Sequence, residues 1–155
     1  MSNFFEKSDI NRNGAENIVS ETLNNCDDGE LYLENSKSES IVLDDNKIKS
    51  SSYNSDLGYG LRAVTGEVVA YSHSNEISKD SLKQSSENLY STLKSKKGTY
   101  NHEISKTNKK LYKDVNPIEE KSLSSKLELL KEVNNYTRSK GAIVQQVTAS
   151  FAGEH

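Results

Sequence analysis

The chain has 155 residues, a length that suits a single domain. Its hydrophobic content of 32% is low, but its formal net charge of −3 is too small for self-repulsion to keep the chain unfolded. We therefore expect a folded domain with a thin core and long polar loops. A sequence pI near 5.7, with only three arginines among 20 basic residues, argues against a dedicated nucleic-acid-binding protein.

Cysteine usage and the lack of long apolar runs narrow the class further. Cys26 is the single cysteine, so the chain can form neither an intramolecular disulfide nor a cysteine-rich zinc site. Its neighbours Asp27 and Asp28 disfavour a thiolate, which indicates a buried and unreactive side chain. The first residues form no apolar signal segment, and no stretch approaches the roughly 18 apolar residues of a membrane span. We expect a soluble, cytoplasmic protein that does not bind a membrane.

The first half of the chain predicts one helix and a series of strands. Residues 1–14 are mostly polar and predict a flexible amino-terminal segment, and helical spacing then predicts a helix over residues 15–26. The period changes to two after this helix, so that Leu31 and Leu33 share one side of a strand and Tyr32 and Glu34 the other. Turn residues separate the predicted strands, which lie near residues 31–34, 39–43, 47–53, 57–64 and 67–74.

The second half predicts two more helices and a last strand. Ser78 is the predicted N-cap of a helix, and residues 94–121 form a lysine-rich stretch without a period, which predicts a long polar loop. A strand is predicted over residues 143–151. The third helix covers residues 123–137 and carries one predicted apolar stripe: Leu123, Leu127, Leu130, Val133 and Thr137. Together these elements predict an α+β domain over residues 15–155, with an antiparallel meander sheet of about five to six strands and helices packed on it.

One glycine motif resembles a dinucleotide-binding fingerprint. Gly58, Gly60 and Ala63 match the pattern G-x-G-x-x-A, which binds a pyrophosphate only where a helix begins at the motif. Here the following residues are β-branched and contain a turn at Gly66. We therefore predict that the glycines and Arg62 lie on a strand, at a bulge or a close approach of two backbones.

The histidines do not form a recognisable metal site. His102-Glu103 begins like a metalloprotease helix, but Lys106 stands where the second histidine of H-E-x-x-H would face the same metal. His73 and His155 lie far away in the sequence, so we predict no zinc site and no catalytic residue in this chain. The lysines of residues 94–113 could contact a phosphate backbone, but their acidic neighbours favour a solvated loop.

A more specific signal lies within residues 29–82, which resemble the amino-terminal domain of the TldD/PmbA ("modulator of DNA gyrase") family of zinc metallopeptidases. The family pattern is approximately D-x-G-x-G-x-R-x-x-x-G-E-x-x-G-aromatic-A-aromatic. Ala70 and His73 depart from it. Residues 111–117, 121–141 and 144–153 also resemble this domain, so the likeness covers nearly the whole chain. The matching positions are Asp56, Gly58, Gly60, Arg62, Gly66, Glu67 and Tyr71.

This resemblance implies a role in proteolysis as a substrate-chamber and assembly domain. The family carries its zinc motif H-E-x-x-x-H in a downstream domain, and the sequence to His155 does not contain it. We therefore expect a truncated or split product that is inactive alone, with zinc in the missing catalytic domain only. The expected partners are that catalytic half or a TldD/PmbA-like subunit, and an extended peptide. The alternatives are a non-enzymatic module that binds a peptide or a partner, a decaying gene remnant and, least favoured, a nucleic-acid-binding loop.

Overall fold

The computed structural model describes residues 4–93, 98 and 115–155. These residues form an α+β fold, which confirms the predicted class. The strands form one sheet of order β3-β2-β1-β4, in which β2 pairs with β3 and β1 with β4 in antiparallel orientation. In chain order the elements are α1 (Arg12–Leu23), β1 (Asp28–Asp44), β2 (Lys47–Thr65), β3 (Val68–Ser74), α2 (Lys79–Leu93), α3 (Leu123–Arg138) and β4 (Thr148–Glu154).

The described part of the sheet has four strands instead of the predicted five or six. The two predicted strands before Asp44 form the single 17-residue strand β1, and the next two form the 19-residue strand β2. Asn54, Ser55 and Asp56, which we expected to turn the chain, instead lie exposed within the continuous strand β2. Asn54 Nδ2 donates to Ser38 Oγ of β1 at 3.4 Å. Turn propensity is a weak local preference, which pairing along a strand overrides here.

Two of the predicted hairpin turns are present, one between β1 and β2 and one between β2 and β3. Asp45 and Asn46 have φ values of 44° and 64° between β1 and β2, as a type I′ turn requires. Gly66 has a φ of 60° at the first turn position between Thr65 and Val68, which pair across the hairpin. A glycine adopts this left-handed conformation without the steric cost that a Cβ imposes.

Contacts between Cα atoms divide the chain into two compact units. Unit 1 comprises residues 1–35 and 56–113, and unit 2 comprises residues 36–55 and 114–155. In unit 1, α1 and α2 pack against the alternate β2 side chains Tyr59, Leu61 and Ala63, all of which are buried. Burial of these apolar side chains stabilises unit 1 because it removes them from water.

The amino-terminal boundary of unit 1 differs from the prediction. We predicted a flexible segment over residues 1–14, but Ile10 is buried in the core, and Phe4 and Phe5 pack against it. The helix begins at Arg12 because Asn11 acts as its N-cap, with Oδ1 accepting from Gly14 N at 2.8 Å.

The other end of α1 also differs from the predicted helix over residues 15–26. The helix ends at Leu23, and Asn25 adopts a φ of 66°. Cys26 therefore lies beyond the helix. It is buried, as predicted, and its thiol approaches the Thr22 carbonyl oxygen at 3.8 Å.

The predicted helix α2 is confirmed in position and in its buried side. Ser78 Oγ accepts from Ser81 N at 3.2 Å, and Leu82, Leu89 and Leu93 are buried. Ser85 lies between these leucines and shares a hydrogen bond of 2.9 Å with the Tyr59 hydroxyl. A buried hydroxyl is tolerated where it has such a partner.

Unit 2 has a smaller core, in which α3 lies on β1 and β4. Ile41, Leu43, Leu130 and Ala149 form the buried cluster. The last strand starts at Thr148 and not at residue 143, because Ile143 is 87% exposed outside the sheet.

The buried side of α3 matches the predicted apolar stripe only in part: Leu130 is buried and Leu127 packs against the core. Leu123 and Val133 are 50% and 45% exposed, whereas Lys126 and Asn134 are buried. Lys126 has two oxygen partners in unit 2: its ammonium donates to the Ile118 carbonyl oxygen at 2.6 Å and pairs with Glu39. A buried charge persists only with such compensation. Most of the predicted loop over residues 94–121, including His102 and Glu103, lies outside the described residues.

Candidate functional site

The motif residues of β2 lie on the side of the sheet opposite α1 and α2, which we call the open face of unit 1. Side chains alternate along a strand, and Tyr59, Leu61 and Ala63 point into the core. Gly58, Gly60 and Arg62 therefore belong to the open face. All three lie within β2, so no helix begins at the motif, and the dinucleotide-binding interpretation is excluded on geometry.

Arg62 forms two ion pairs across the open face. Its Nη2 lies 2.7 Å from Asp28 Oδ2, and its Nε lies 2.9 Å from Glu30 Oε1. The hydrogen bonds to Asp28 and then to Glu30 raise the pKa of the Arg62 guanidinium above its usual value. Arg62 thus ties β1 to β2 and keeps little free charge for a ligand.

The Gly66 and Glu67 pair of the motif forms the β2–β3 turn. Gly66 N donates to Asp27 Oδ2 at 2.6 Å, which connects this turn to the residue before β1. Glu67 is exposed on the same turn. The arrangement indicates that Gly66 sets the hairpin geometry, a structural contribution.

The two motif glycines of β2 permit close approaches from β3. A Cβ on Gly58 would lie 2.8 Å from the Ser74 carbonyl oxygen, and one on Gly60 would lie 2.5 Å from the Tyr71 hydroxyl oxygen. The Tyr71 ring therefore lies over Gly60, and it also stacks with the His73 ring at a centroid distance of 5.9 Å. The predicted strand geometry is confirmed, but the predicted close approach of two backbones holds for Gly58 only, since Gly60 meets a side chain.

A cleft of about 200 Å³ opens on the open face beside these glycines. It is lined by Tyr32 and Glu34 of β1, residues 56–60 of β2, Tyr71 and Ser74 of β3, and Asn75 just after β3. The Tyr32 hydroxyl donates to Glu34 Oε2 at 2.9 Å, and this hydrogen bond raises the pKa of the Tyr32 phenol. The cleft brings together Asp56, Gly58, Gly60 and Tyr71 of the seven motif positions, but not Arg62, Gly66 or Glu67.

Sequence reasoning missed four β1 residues that matter to this face. Asp28 and Glu30 pair with Arg62, and Tyr32 and Glu34 line the cleft. The available signal was the period of two, which placed Tyr32 and Glu34 on the side of the strand opposite Leu31 and Leu33. That signal does not give the cross-strand register, so it could not assign partners.

Ala70 and His73, two of the departures from the family pattern, occupy opposite sides of β3. Ala70 is 1% exposed and belongs to the core of unit 1. His73 is exposed and pairs with Gly60 in the antiparallel register. One departure therefore affects packing, and the other affects the open face.

The described residues do not fit the zinc site of a metallopeptidase. Catalytic zinc requires three convergent protein ligands, and no group of three histidine, cysteine, aspartate or glutamate side chains that could hold a metal occurs within the described residues. We therefore derive no catalytic step through zinc on this chain. In the described ranges, no helix is long and apolar enough to cross a membrane.

Comparison with known proteins agrees with the fold and the motif. Residues 29–92 match the first domain of the PmbA/TldA metallopeptidases. The chain is 37% identical over 130 residues to the metalloprotease TldD homolog of Buchnera aphidicola from Acyrthosiphon pisum, and 33% identical over 134 residues to that of Haemophilus influenzae. Each alignment covers 83% of this chain but 27% of the relative, so the chain spans about a quarter of those proteins.

Solved structures support the same fold at lower identity. A Bacteroides thetaiotaomicron protein named as a modulator of DNA gyrase aligns with a TM-score of 0.65 and 18% identity, over 94% of this chain and 35% of its own. TldE from Thermococcus kodakarensis aligns with a TM-score of 0.58 and 16% identity, over 91% of this chain and 33% of its own. The sequence matches and the shared fold together place this chain in the TldD/PmbA metallopeptidase family, as its amino-terminal domain.

Proposed function

We propose that the chain is the substrate-chamber and assembly domain of a TldD-type metallopeptidase and contributes to proteolysis by a zinc-bearing domain that lies outside these 155 residues. The match to TldD homologs over 83% of the sequence is the observation that carries the proposal. The partner would be the catalytic part of such an enzyme or a TldD/PmbA-like subunit.

The open face and the sheet edge of unit 1 support a role in handling unfolded substrate. Tyr32, Val69 and Tyr71 are more than half exposed, and β3 is an edge strand of the described sheet. An edge strand can pair with an extended peptide through backbone hydrogen bonds, while neighbouring side chains contact alternate residues of that peptide. This mode suits a protease that accepts unfolded chains of varied sequence.

A domain exchange tests the proposal. The region of the Buchnera TldD homolog that aligns with this chain would be replaced by the chain itself, and cleavage of an unfolded polypeptide would be measured. We expect the chimera to cleave it in a zinc-dependent manner, whereas the relative without its first domain should be inactive. A folded, zinc-loaded chimera without activity would contradict the proposal.

The isolated chain provides the matched control. We expect no proteolysis and no stoichiometric zinc after dialysis, measured by elemental analysis, because the described residues offer no three-ligand site. One tightly bound zinc per chain would contradict this expectation.

The cleft favours a second candidate, a non-enzymatic peptide-binding module, because it offers polar and aromatic groups without catalytic chemistry. The two candidates differ in the chimera assay. A module that binds extended peptides but never restores cleavage would support the second candidate.

A further inference from the structure

The cleft on the open face combines three properties that together select a ligand. It has carboxylates in Glu34 and Asp56, aromatic rings in Tyr32 and Tyr71, and space beside Gly60. We propose that this cleft binds the guanidinium of an arginine side chain from an extended peptide. This inference rests on the proposed function, because it names the subsite that such a peptide would occupy.

The negative charge of the open face is the first reason to expect a cationic ligand. The open face carries the carboxylates of Asp28, Glu30, Glu34 and Asp56 but one guanidinium, that of Arg62. Arg62 is already paired with Asp28 and Glu30, so it does not neutralise the two carboxylates of the cleft. The cleft therefore attracts cations and repels anions.

The two cleft carboxylates differ in how they are held. Glu34 accepts a hydrogen bond from the Tyr32 hydroxyl at 2.9 Å, which leaves its second oxygen for a ligand. Within the described ranges, the Asp56 side chain has no hydrogen-bond or ion-pair partner. Carboxylate oxygens in such positions can accept the paired N–H groups of a guanidinium.

The tyrosine rings of the cleft are the second reason, because they favour a planar guanidinium over an ammonium group. The Tyr71 ring covers Gly60, since a Cβ there would lie 3.0 Å from the ring carbon Cε2. The Tyr71 side chain remains 64% exposed and forms one wall of the cleft, with Tyr32 on the β1 side. The Tyr71 ring already stacks with His73, so the ring that we assign to the ligand is that of Tyr32, which is 59% exposed. A planar guanidinium can stack on such a ring while it bonds to carboxylates, which a compact ammonium does less well.

The volume agrees with one side chain. About 200 Å³ accommodates a long side chain but not a folded partner element. Gly60 allows the Tyr71 ring to lie against β2 as a wall of the cleft, because a side chain at position 60 would occupy the same region as that ring.

Peptide titration of the purified chain tests the inference. The probes are extended, unstructured peptides of identical sequence with arginine, citrulline, lysine or glutamate at one central position, and binding is followed by nuclear magnetic resonance and calorimetry. We expect arginine to bind about threefold to tenfold more tightly than its neutral isostere citrulline, with lysine between them and glutamate weakest. Chemical-shift changes should occur at Glu34, Asp56 and Tyr71.

Substitutions in the cleft test whether it is the source of the preference for arginine. Glu34→Gln and Asp56→Asn should each remove most of the preference for arginine over citrulline, and Tyr32→Leu should reduce it. Glu87→Gln is the matched control, because it removes an exposed carboxylate on α2, an element packed against the other side of the sheet. Circular dichroism would verify that each variant is folded.

The outcomes separate this inference from the proposed function. Equal binding of the arginine and citrulline peptides, or an unchanged preference in both carboxylate variants, would overturn the arginine subsite even if peptides bind. Binding of no peptide at all would also overturn it, and activity of the chimera would then report on the proposed function independently.

Discussion

At the residue scale, the two glycines of β2 have different reasons for lacking a side chain. Gly58 faces a backbone oxygen, that of Ser74, whereas Gly60 faces the end of an exposed tyrosine side chain. A backbone atom cannot move without shifting its strand, but Tyr71 can rotate into solvent. The same substitution should therefore have different costs at the two positions.

We expect Gly58→Ala to destabilise the chain by about 1–3 kcal/mol, because the end of β3 must shift. Gly60→Ala should cost less than about 1 kcal/mol, since displacement of Tyr71 is partly offset by the lower backbone entropy of alanine in the unfolded chain. Urea denaturation measures both, and the ring resonances of Tyr71 should move in Gly60→Ala. Equal losses of stability would contradict the assigned contacts.

Asp44 carries a second residue-scale prediction, on acid stability. Its Oδ1 accepts hydrogen bonds from Gln146 Nε2 and Thr148 Oγ1, each at 2.9 Å. These bonds, together with Lys49, hold the pKa of the Asp44 carboxyl below its usual value. A carboxyl whose pKa is lower in the folded state than in the unfolded state stabilises the fold at pH values above its unfolded-state pKa. This contribution is lost as the pH falls through the folded-state pKa.

We therefore expect Asp44→Asn to be less stable than the parent chain near neutral pH. The difference should shrink as the pH falls below about 3.8 and vanish below the lower folded-state pKa. Denaturation midpoints measured across this range would test it. Glu132→Gln, which removes an exposed carboxylate of α3, is the control. A constant difference between Asp44→Asn and the parent chain at all pH values would show that charge is not involved.

At the element scale, α3 depends on an ion pair that is nearly removed from solvent. The Lys126 and Glu39 side chains are 5% and 10% exposed, and the ammonium also lies 5.6 Å from the centroid of the Phe151 ring. Loss of one partner leaves the other charge buried without compensation. Replacement of both by apolar groups removes that penalty.

We expect Lys126→Met to cost about 3–5 kcal/mol, a large part of the roughly 5–15 kcal/mol that stabilises a typical domain. Adding Glu39→Leu to that variant should recover most of the loss. Urea denaturation of the two single variants and the double variant forms a cycle that isolates the pair. A double variant as unstable as Lys126→Met would show that the pair is not the reason for the burial.

The element scale also shows what the sequence could and could not predict. Helix α2 and both hairpins were predicted correctly because their signals, Ser78 as N-cap and Gly66 at a turn, are local. The burial of Lys126 on α3 was not predicted, because it depends on Glu39, which is 87 residues away. The predicted number of strands was too high for a related reason. Whether a strand continues through polar residues depends on its pairing with other strands, which a short stretch of sequence does not show.

The candidate site likewise contains some residues that the sequence identified and others that only the structure shows. Resemblance to a family identified the positions on β2 and β3, including Gly60 and Tyr71, and the structure places these two in contact. It did not identify Tyr32 and Glu34, which complete the cleft from β1. Their contribution follows from register across strands, a property of the folded sheet.

At the scale of the whole molecule, exposed apolar side chains predict association. Leu129, Val133 and Tyr136 of α3 are 49%, 45% and 66% exposed at helical spacing, so they form one apolar stripe in unit 2. The described sheet also has β3 and β4 as edge strands. Apolar stripes and strand edges of this kind are typical of surfaces that other chains cover.

We expect the purified chain to associate with itself between micromolar and millimolar concentrations, or with a TldD-like subunit when one is present. Sedimentation velocity would measure this. Val133→Lys should shift the equilibrium toward monomer, whereas Lys131→Glu on the exposed surface of α3 serves as a control for altered charge. A monomer at all concentrations that ignores a family subunit would indicate a self-sufficient domain.

The pairing of β1 with β4 also has a consequence for the order in which the sheet forms. β2 and β3 are joined by a two-residue turn, so their pairing closes a very short loop. Asp44 meets Thr148 only after the chain has closed a separation of 104 residues. Loop closure of that size is slow because its entropic cost precedes any contact. During synthesis, the Ser38–Asp44 part of β1 must therefore wait for β4 with one strand edge unpaired, and the refolding rate of unit 2 should depend on that late docking.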